Sequence, residues 1–357
     1  MASYPRPQVF LKLVVLAASV FLLMTVFRVL FKDSFSDRIS SGARFSTSPS
    51  MRLPYRDVAR PLEEILDAEW VPQLWRYLAN LKTSRRHVTL CVADSRYKES
   101  VVNWLVSALV IVQPPLDNVL VISLDEELTN FLQGRELNSV FVDPHSILRR
   151  NIHLPTNYSH VWATRFVLFR LINHWGFSVT TFDSDALLSR NPQSLFDERR
   201  DSDIVASPGT YPFDLHRAWN SSTLCMGMVL FRASEKMERF WDHFSVVQQS
   251  MRRIDDQVVI NNALKNCGIV WSSTGKDSGM LGVCRDMDFK VSLLPRSVVC
   301  RKCKKITGGS FYVWHQTSAR GQAGKKKIAK AAGMWFLKRN LDESELKGTE
   351  WLRYLWM

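Results

Sequence analysis

The chain has 357 residues, which is enough for one large domain or two modest ones with an ample core. Its content of 46% hydrophobic and 23% charged residues is ordinary for a globular protein. The net charge of +13 is uneven, because residues 296–330 hold ten basic residues and no acidic one, and much of the remaining excess lies in residues 1–60. Two local basic blocks argue against a general nucleic-acid surface, and no nucleic-acid partner is expected.

The N-terminal segment is strongly apolar. Residues 9–31 read VFLKLVVLAASVFLLMTVFRVLF, with Lys12 and Arg28 on either side of a charge-free stretch. That stretch is short for a bilayer core of about 30 Å, but the two flanking side chains can snorkel and extend the span to about twenty residues. A cleaved signal peptide is the alternative, although the bulky, charged residues that follow offer no clean cleavage site. We expect an uncleaved transmembrane signal anchor at 9–31 behind a cytoplasmic tail at 1–8.

This topology predicts a single-pass type II membrane protein with its catalytic part in the lumen. A rather short span suits the membrane of the Golgi or the endoplasmic reticulum. Two Asn-x-Ser sequons, at Asn157 and Asn220, agree with a lumenal location and are the predicted glycosylation sites. Six cysteines are too few for a disulfide scaffold, and Cys300 with Cys303 forms a lone CxxC pair that favours a local disulfide or two free thiols over zinc.

Beyond the anchor, the pattern divides the chain further. Residues 32–60 are serine-rich and unpatterned, as in a stalk, and 61–86 form a helical lead-in opened by a proline. Strands then alternate with helices, which indicates an α/β domain over 87–340 with a mainly parallel sheet flanked by helices, followed by an extension at 341–357. The expected strands include 87–93, 118–124, 139–143 and 177–183, with helices at 97–112 and 159–176. Two loops, 209–222 and 272–288, are expected to face an acceptor.

The fourth strand ends in two carboxylates. Asp183 and Asp185 follow the apolar run SVTTF, and in an α/β sheet ligands bind at the carboxyl ends of strands. Two converging carboxylates repel each other unless a cation joins them, and Mn²⁺ or Mg²⁺ would satisfy both. The alternatives are a solvated turn or a helix cap, since the tripeptide Asp201-Ser202-Asp203 has the same composition.

A second candidate element lies near the C-terminus, in FYVWHQTSARGQAGKKKIAKAAGMWF. His315 ends an aromatic strand and could give a nitrogen to the same metal, although a structural histidine is the alternative. Gly321 and Lys325 begin a basic helix that could present N–H groups and positive charge to a diphosphate. Alternatively, Lys325 to Lys327 form a solvated helix face.

These motifs, in this order behind a short anchor and together with DDQVVINNAL, resemble the nucleotide-diphospho-sugar transferases, and glycosyltransferase family 77 in particular. The resemblance covers roughly residues 87 to 338 and implies a GT-A fold, which is a Rossmann-like mixed, mainly parallel sheet. Two departures concern the donor and acceptor details: Cys225 and Met226 precede Gly227 where such families often carry an asparagine, and Thr317 stands where a second asparagine is usual.

The resemblance also implies roles for individual residues. Asp183, Asp185 and His315 would hold the metal, and Asp256 with Gln257 would lie beside the reactive sugar carbon as catalytic residues. The donor-binding residues would be Cys91, Asp94, Arg165, Asp183, Ser184, Gly321 and Lys325. Three of these assignments have structural alternatives: a surface arginine for Arg165, a helix cap for Asp94, and a helix cap for Asp255 or Asp256.

The function that the sequence predicts is therefore transfer of a sugar from a nucleotide diphosphate, such as a UDP-sugar, to a hydroxyl of a glycan or glycoprotein, with Mn²⁺ or Mg²⁺ as cofactor. The resemblance implies retention of the anomeric configuration. The alternative is a catalytically inactive, membrane-tethered protein that binds a nucleotide sugar or glycan. Such a protein would have lost a metal ligand or the Asp-Gln pair, and both are present here.

Overall fold

The computed structural model describes residues 65–81, 86–147, 157–251, 255–273, 279–301, 311–315 and 321–357. The predicted tail, anchor and stalk, residues 1–60, lie outside these ranges, as does Cys303. Within the ranges described, no helix has the length and apolar character that a membrane crossing requires.

The helices of the described ranges are numbered α1 to α11. They are Val71–Ala79, Lys98–Val106, Glu126–Gly134, Pro144–Ile147, Asn157–His174, Gln193–Asp197, Phe213–Ala218, Glu235–Ser250, Asp256–Asn266, Gly321–Ala332 and Gly348–Trp356. The strands, β1 to β12, are His87–Ala93, Val119–Ser123, Ser139–Phe141, Ser178–Phe182, Ala186–Leu188, Ile204–Pro208, Leu224–Phe231, Ile269–Ser273, Met280–Cys284, Phe289–Leu293, Val299–Cys300 and Val313–His315.

Nine strands form one large mixed sheet in the order β3-β2-β1-β4-β7-β6-β10-β9-β8. The neighbours among β3, β2, β1 and β4 are parallel, and β6 is parallel to β10. Strand β7 runs antiparallel to both β4 and β6. The strands β8, β9 and β10 form an antiparallel meander, because the short connections between them leave no room for a crossover. The expected α/β architecture, with a mixed sheet flanked by helices, is confirmed, but the sheet is not mainly parallel, since parallel and antiparallel pairs are equally frequent among the described strands.

The sheet is buried on both faces, as its nearly continuous apolar strands require. Successive side chains of a strand point to opposite faces, so Leu90 belongs to one core and Cys91 to the other. Helices α1, α5, α8 and α9 cover the first face, and α2, α3 and α11 cover the second. The segment predicted as a C-terminal extension thus contributes to the second core, where Trp351, Leu352 and Leu355 are fully buried.

The segment expected to be a loop at 272–288 contains strand β9 and a short 3-10 helix, so a loop over this whole range is wrong, whereas its facing an acceptor stays a prediction. A disulfide joins Cys267 to Cys284 and fixes the end of β9 to the end of α9. Gly282 interrupts the alternation of apolar residues that would have indicated strand β9. A glycine is required there, because a Cβ atom at this position would lie only 2.7 Å from the ring of Trp271. Cys300 also takes part in a disulfide.

Candidate functional site

The two aspartates lie in a tight turn between β4 and β5. The amide of Asp183 donates to the carbonyl of Gly227 at 3.0 Å, and the amide of Ala186 donates to the carbonyl of Asp183 at 2.8 Å. Asp185 is buried, whereas Asp183 and Ser184 are half-buried at the carboxyl end of β4. The apolar strand therefore ends in two carboxylates at the edge of the sheet.

A three-residue strand brings His315 to these carboxylates. Strand β12 pairs antiparallel with β5, which begins directly after Asp185, and His315 lies opposite Ala186. The Nε2 atom of His315 is 3.5 Å from Oδ2 of Asp183 and 3.6 Å from Oδ1 of Asp185. One potential ligand atom from each of the three residues lies within 4.8 Å of the other two.

The chemistry of this cluster fits a divalent metal. Its donors are two carboxylate oxygens and one imidazole nitrogen, which suit Mn²⁺ and Mg²⁺. The Oδ1 atom of Asp185 is buried and accepts no hydrogen bond from the described residues, so it has capacity for a ligand. The imidazole of His315 occupies space that only a glycine leaves free, because a Cβ atom at Gly227 would lie 2.0 Å from its Cε1.

Lys325 adds positive charge to the cluster from the second turn of α10. Its Nζ atom lies 2.8 Å from Oδ2 of Asp185 and 5.7 Å from the centre of the Tyr97 ring. Burial raises the pKa of Asp185, but Lys325 and His315 outweigh burial and hold that pKa well below its usual range. Gly321 begins the helix in the left-handed region, with φ of 67° and open space around its Cα.

His315 is held by a thiol on its other side. The Nδ1 atom lies 3.8 Å from Sγ of Cys225, so the imidazole spans the distance between a thiol and two carboxylates. Burial lowers the pKa of His315, but its contacts with Asp185 and Cys225 outweigh burial and raise the pKa to about 10. The imidazole is therefore strongly attracted to the anionic cluster.

Arg165 connects the cluster to α9 and is not a surface residue. Its Nη1 atom donates to Oδ1 of Asp183 at 2.9 Å and lies 3.0 Å from Oδ2 of Asp256. Its Nη2 atom donates to the carbonyl of Met226 at 2.8 Å, and only 4% of the residue is exposed. Burial lowers the pKa of Arg165, but the two carboxylates outweigh burial and raise it, so the guanidinium stays charged between them.

The start of α9 contains the Asp-Gln pair. The helix is capped by Asp255, whose carboxylate accepts from the amide of Val258 at 3.0 Å, so Asp256 is not needed as the cap. Burial raises the pKa of Asp256 to about 7, and the attraction of Arg165 offsets that rise only in part. The Nε2 atom of Gln257 donates to the carbonyl of Tyr211 at 2.7 Å.

The remaining predicted donor residues lie at or behind this edge. Asp94 caps the 3-10 helix Ser95–Tyr97 and pairs with Arg96 at 2.5 Å, which agrees with the helix-cap alternative. Cys91 is fully buried in β1, where burial raises the pKa of its thiol, so the side chain lies behind the site rather than at its surface.

The two predicted glycosylation sites lie on different elements. Asn157 is the first residue of α5. Asn220 is exposed in a turn after α7, with φ of 47°.

Three contacts of the site were not predicted from the sequence. Gly227 makes room for His315, Cys225 contacts the imidazole, and Tyr97 lies beside Lys325. Tyr97 had a detectable signal, since it is an aromatic residue shortly after a buried strand. The other two residues had been noted only as part of the departure from the family pattern before Gly227, with no contact to His315 expected.

Several solved structures match this chain at low sequence identity. The bifunctional glycosyltransferase WbbM in its apo form shares 12% identity at a TM-score of 0.44, and the match covers 62% of this chain but only 40% of that one. The galactosyltransferase LgtC with donor and acceptor sugar analogues shares 13% identity at a TM-score of 0.44, covering 72% of this chain and 100% of that one. Mouse xyloside xylosyltransferase 1 shares 10% identity at a TM-score of 0.40, covering 65% and 98%.

No curated protein matches the sequence. A family model, in contrast, matches residues 115–329, which include β4, both aspartates, His315 and Lys325. The matched region is more than half of the chain, and on that basis the protein belongs to the family of nucleotide-diphospho-sugar transferases.

Proposed function

We propose that the protein transfers a glycosyl group from a nucleoside diphosphate donor, a UDP-sugar, to a hydroxyl of a glycan or glycoprotein acceptor. The observation that carries this proposal is the convergence of Asp183, Asp185 and His315 with Lys325 at the carboxyl end of β4. Family membership supports the general reaction, and the resemblance to glycosyltransferase family 77 supports retention of the anomeric configuration.

Asp183, Asp185 and His315 would hold Mn²⁺ or Mg²⁺, which when bound supplies charge stabilisation to a departing diphosphate. The chain adds its own charge at the same place. Lys325 is fixed beside Asp185 and offers an ammonium group to phosphate oxygens, and the N-terminal end of α10 offers a favourable dipole.

Arg165 has a positioning role in this proposal. Its Nη1 atom lies 2.9 Å from the carboxylate of Asp183 in the metal cluster and 3.0 Å from the carboxylate of Asp256 in α9. The guanidinium therefore fixes the positions of these two carboxylates relative to each other. Asp256 and Gln257 then lie next to the donor site, where a carboxylate and an amide oxygen can stabilise positive charge that develops on the sugar. A buried, pre-organised arrangement of this kind needs little reorganisation during the reaction.

Donor hydrolysis tests the proposal directly. The full-length protein in detergent is incubated with a panel of nucleotide sugars and Mn²⁺, with and without a chelator, and nucleotide release is measured. We expect slow, chelator-sensitive release from one donor, which would also identify the sugar. If no donor is hydrolysed but a nucleotide sugar binds in a metal-dependent way, the protein is an inactive binding protein; absence of both would contradict the proposed site.

We also propose that residues 9–31 anchor the protein as a type II membrane protein of the Golgi or endoplasmic reticulum, with residues 87–340 as the lumenal transferase domain. The apolar composition of the segment and the sequons at Asn157 and Asn220 support this location. Extraction of cell membranes at alkaline pH tests the anchor, and a mobility shift after glycosidase treatment tests the lumenal location. Release at alkaline pH would contradict an integral anchor.

A further inference from the structure

The edge of the sheet that holds the metal cluster continues past β7. Strand β7 is antiparallel to both β4 and β6, and β6 is parallel to β10, so β4, β6 and β10 all run in the same direction. Their carboxyl ends, at Phe182, Pro208 and Leu293, therefore lie along one edge. Any surface at the ends of β6 and β10 is a lateral continuation of the site at Asp183 and Asp185.

Two grooves occupy that continuation. The Phe213 groove, of about 460 Å³, is lined by Phe213, His216, Arg217, Asn220 and Ser221. The Arg296 groove, of about 280 Å³, includes Pro208, Ser221, Met280, Leu293 and Arg296. Ser221 lines both, so the two grooves adjoin each other.

The Phe213 groove is tied to the candidate catalytic residues. The loop that carries α7 is closed at its base by a hydrogen bond from the amide of Gly209 to the carbonyl of Thr223, at 2.5 Å. Near its beginning, the carbonyl of Tyr211 accepts from Gln257, the neighbour of Asp256. The groove is therefore held in a defined position relative to Gln257.

Phe213 has the properties of a contact residue for a sugar ring. The residue is 69% exposed, and its ring packs edge-on against Tyr211 with centroids 5.6 Å apart. An exposed aromatic face beside polar groups is a typical feature of small-molecule sites, because it covers the apolar face of a ligand while the polar groups orient it.

The charges of the two grooves are one-sided. Arg217 and Arg296 are both exposed, and neither forms an ion pair with any residue in the described parts of the chain. Among the described residues that line the two grooves there is no aspartate or glutamate, and Asp214, on the same helix as Arg217, is not one of them. Burial lowers the pKa of His216, and the charges of Arg296 and Arg301 lower it further, so positive charge of the Arg296 groove acts on a side chain of the Phe213 groove.

We propose that the Phe213 groove and the Arg296 groove form a single acceptor site that selects an anionic glycan, with Phe213 against a sugar ring and Arg217 and Arg296 paired with carboxylate or sulfate groups. This inference rests on the proposed function, since it specifies the acceptor class of the same transferase site. Arginine suits the role because its planar guanidinium binds carboxylate and sulfate through two parallel hydrogen bonds.

The test is calorimetric binding of defined tetrasaccharides to the full-length protein, with saturating UDP and Mn²⁺. The probes are a tetrasaccharide of alternating glucuronic acid and N-acetylglucosamine, its carboxyl-reduced neutral counterpart, and a sulfated tetrasaccharide of alternating glucuronic acid and N-acetylgalactosamine. N-linked glycans are removed beforehand, because Asn220 lines the groove. We expect at least one of the acidic probes to bind about ten-fold or more tightly than the neutral one. Comparison of the sulfated tetrasaccharide with its desulfated form would show whether sulfate adds to recognition of the carboxylates.

Variants connect the preference to the grooves. Replacing Arg217 and Arg296 together by Gln should abolish the difference between acidic and neutral probes, and Phe213→Ala should weaken both. Arg353→Gln, an exposed arginine of α11 outside both grooves, is the matched control and should change neither. Equal binding of acidic and neutral probes, a preference that survives the double replacement, or no binding of either acidic probe would each overturn the proposal.

Donor hydrolysis by the same preparation distinguishes two kinds of failure. If the wild-type protein hydrolyses a nucleotide sugar but does not prefer an acidic glycan, the acceptor proposal is wrong and the transferase proposal stands. If the protein neither hydrolyses nor binds a nucleotide sugar, the transferase proposal fails, and the acceptor proposal fails with it.

Discussion

His315 and Asp185 lie 3.6 Å apart because a three-residue ladder joins two distant parts of the chain. In that ladder His315 is opposite Ala186, which follows Asp185 directly. A shift of one residue in the register would turn the imidazole to the other face, so the pairing of β5 with β12 determines whether the cluster exists. The ring is further confined by Gly227, whose missing side chain leaves space for it.

Gly227→Ala should therefore impair metal binding. A Cβ atom at this position would lie 2.0 Å from Cε1 and 2.2 Å from Nδ1 of His315, so the imidazole would have to move. We expect metal affinity, measured by the paramagnetic resonance signal of free Mn²⁺, to fall about 10–100-fold. Gly134→Ala is the matched control, because that glycine ends α3 and has nothing within 4 Å of the added atom. Unchanged affinity in the Gly227 variant would mean that His315 is not a ligand.

Asp185→Asn should reduce donor hydrolysis by about 100-fold or more, because the cluster loses one of its two charged oxygen ligands while the shape of the side chain is kept. The chain offers a closely matched control in its second Asp-Ser-Asp sequence. Asp201 is exposed just before β6, at the edge of the sheet opposite the one that holds the metal cluster. The Asp201→Asn variant should hydrolyse the donor at the wild-type rate. Equal rates in both variants would contradict a catalytic role for Asp185.

The local parts of the site could be predicted from the residues themselves, whereas the convergence of His315 with Asp183 and Asp185 was implied by the family resemblance. The apolar run before Asp183 and the acidic start of α9 are signals within a few residues, and both elements are confirmed. The strand that ends at His315 was expected from its aromatic residues and is confirmed, but strand β5 has only three residues, too few to show a period of two. Arg165 illustrates the same limit, because its burial depends on carboxylates from a strand turn and a different helix.

The strands of the large sheet also divide into those that the sequence predicted and those that it did not. The parallel strands β1, β2 and β4 were predicted because helices of clear periodicity separate them. The antiparallel meander of β8, β9 and β10 was not, because Gly282 interrupts the pattern of β9 and the connections are short and polar. The two segments expected to face an acceptor, 209–222 and 272–288, do supply lining residues to the grooves, but which of their side chains lie together could not be derived from the sequence.

Lys325→Ala should weaken binding of a nucleoside diphosphate. The ammonium group is fixed next to Asp185 and would contact phosphate oxygens as a charged donor, so its loss should reduce UDP affinity by about ten-fold in the presence of metal. Lys327 lies two residues further along α10, is exposed, and serves as the control. Lys327→Ala should change UDP affinity by less than about two-fold. Titration calorimetry measures both values, and a similar loss in the two variants would indicate a diffuse charge effect instead.

Asp256 should make the stability of the protein depend on pH between about 4 and 7. Burial raises the pKa of its carboxyl from 3.8 to about 7 in the folded state. Below about pH 4 the carboxyl is protonated in both the folded and the unfolded state, so it contributes no pH dependence. As pH rises towards 7, the unfolded state releases this proton first, and the free energy of unfolding falls; above the folded pKa the loss is complete and constant.

Asp256→Asn removes this titration while keeping a polar group beside Arg165. Urea unfolding of wild type and variant at pH 5, 6, 7 and 8 measures the difference in unfolding free energy between them. We expect the wild type to lose stability relative to the variant from pH 5 to about 7, with little further change at pH 8. A constant difference across the series would mean that Asp256 has already lost its proton at pH 5, at an ordinary or a lowered pKa, and would contradict the prediction.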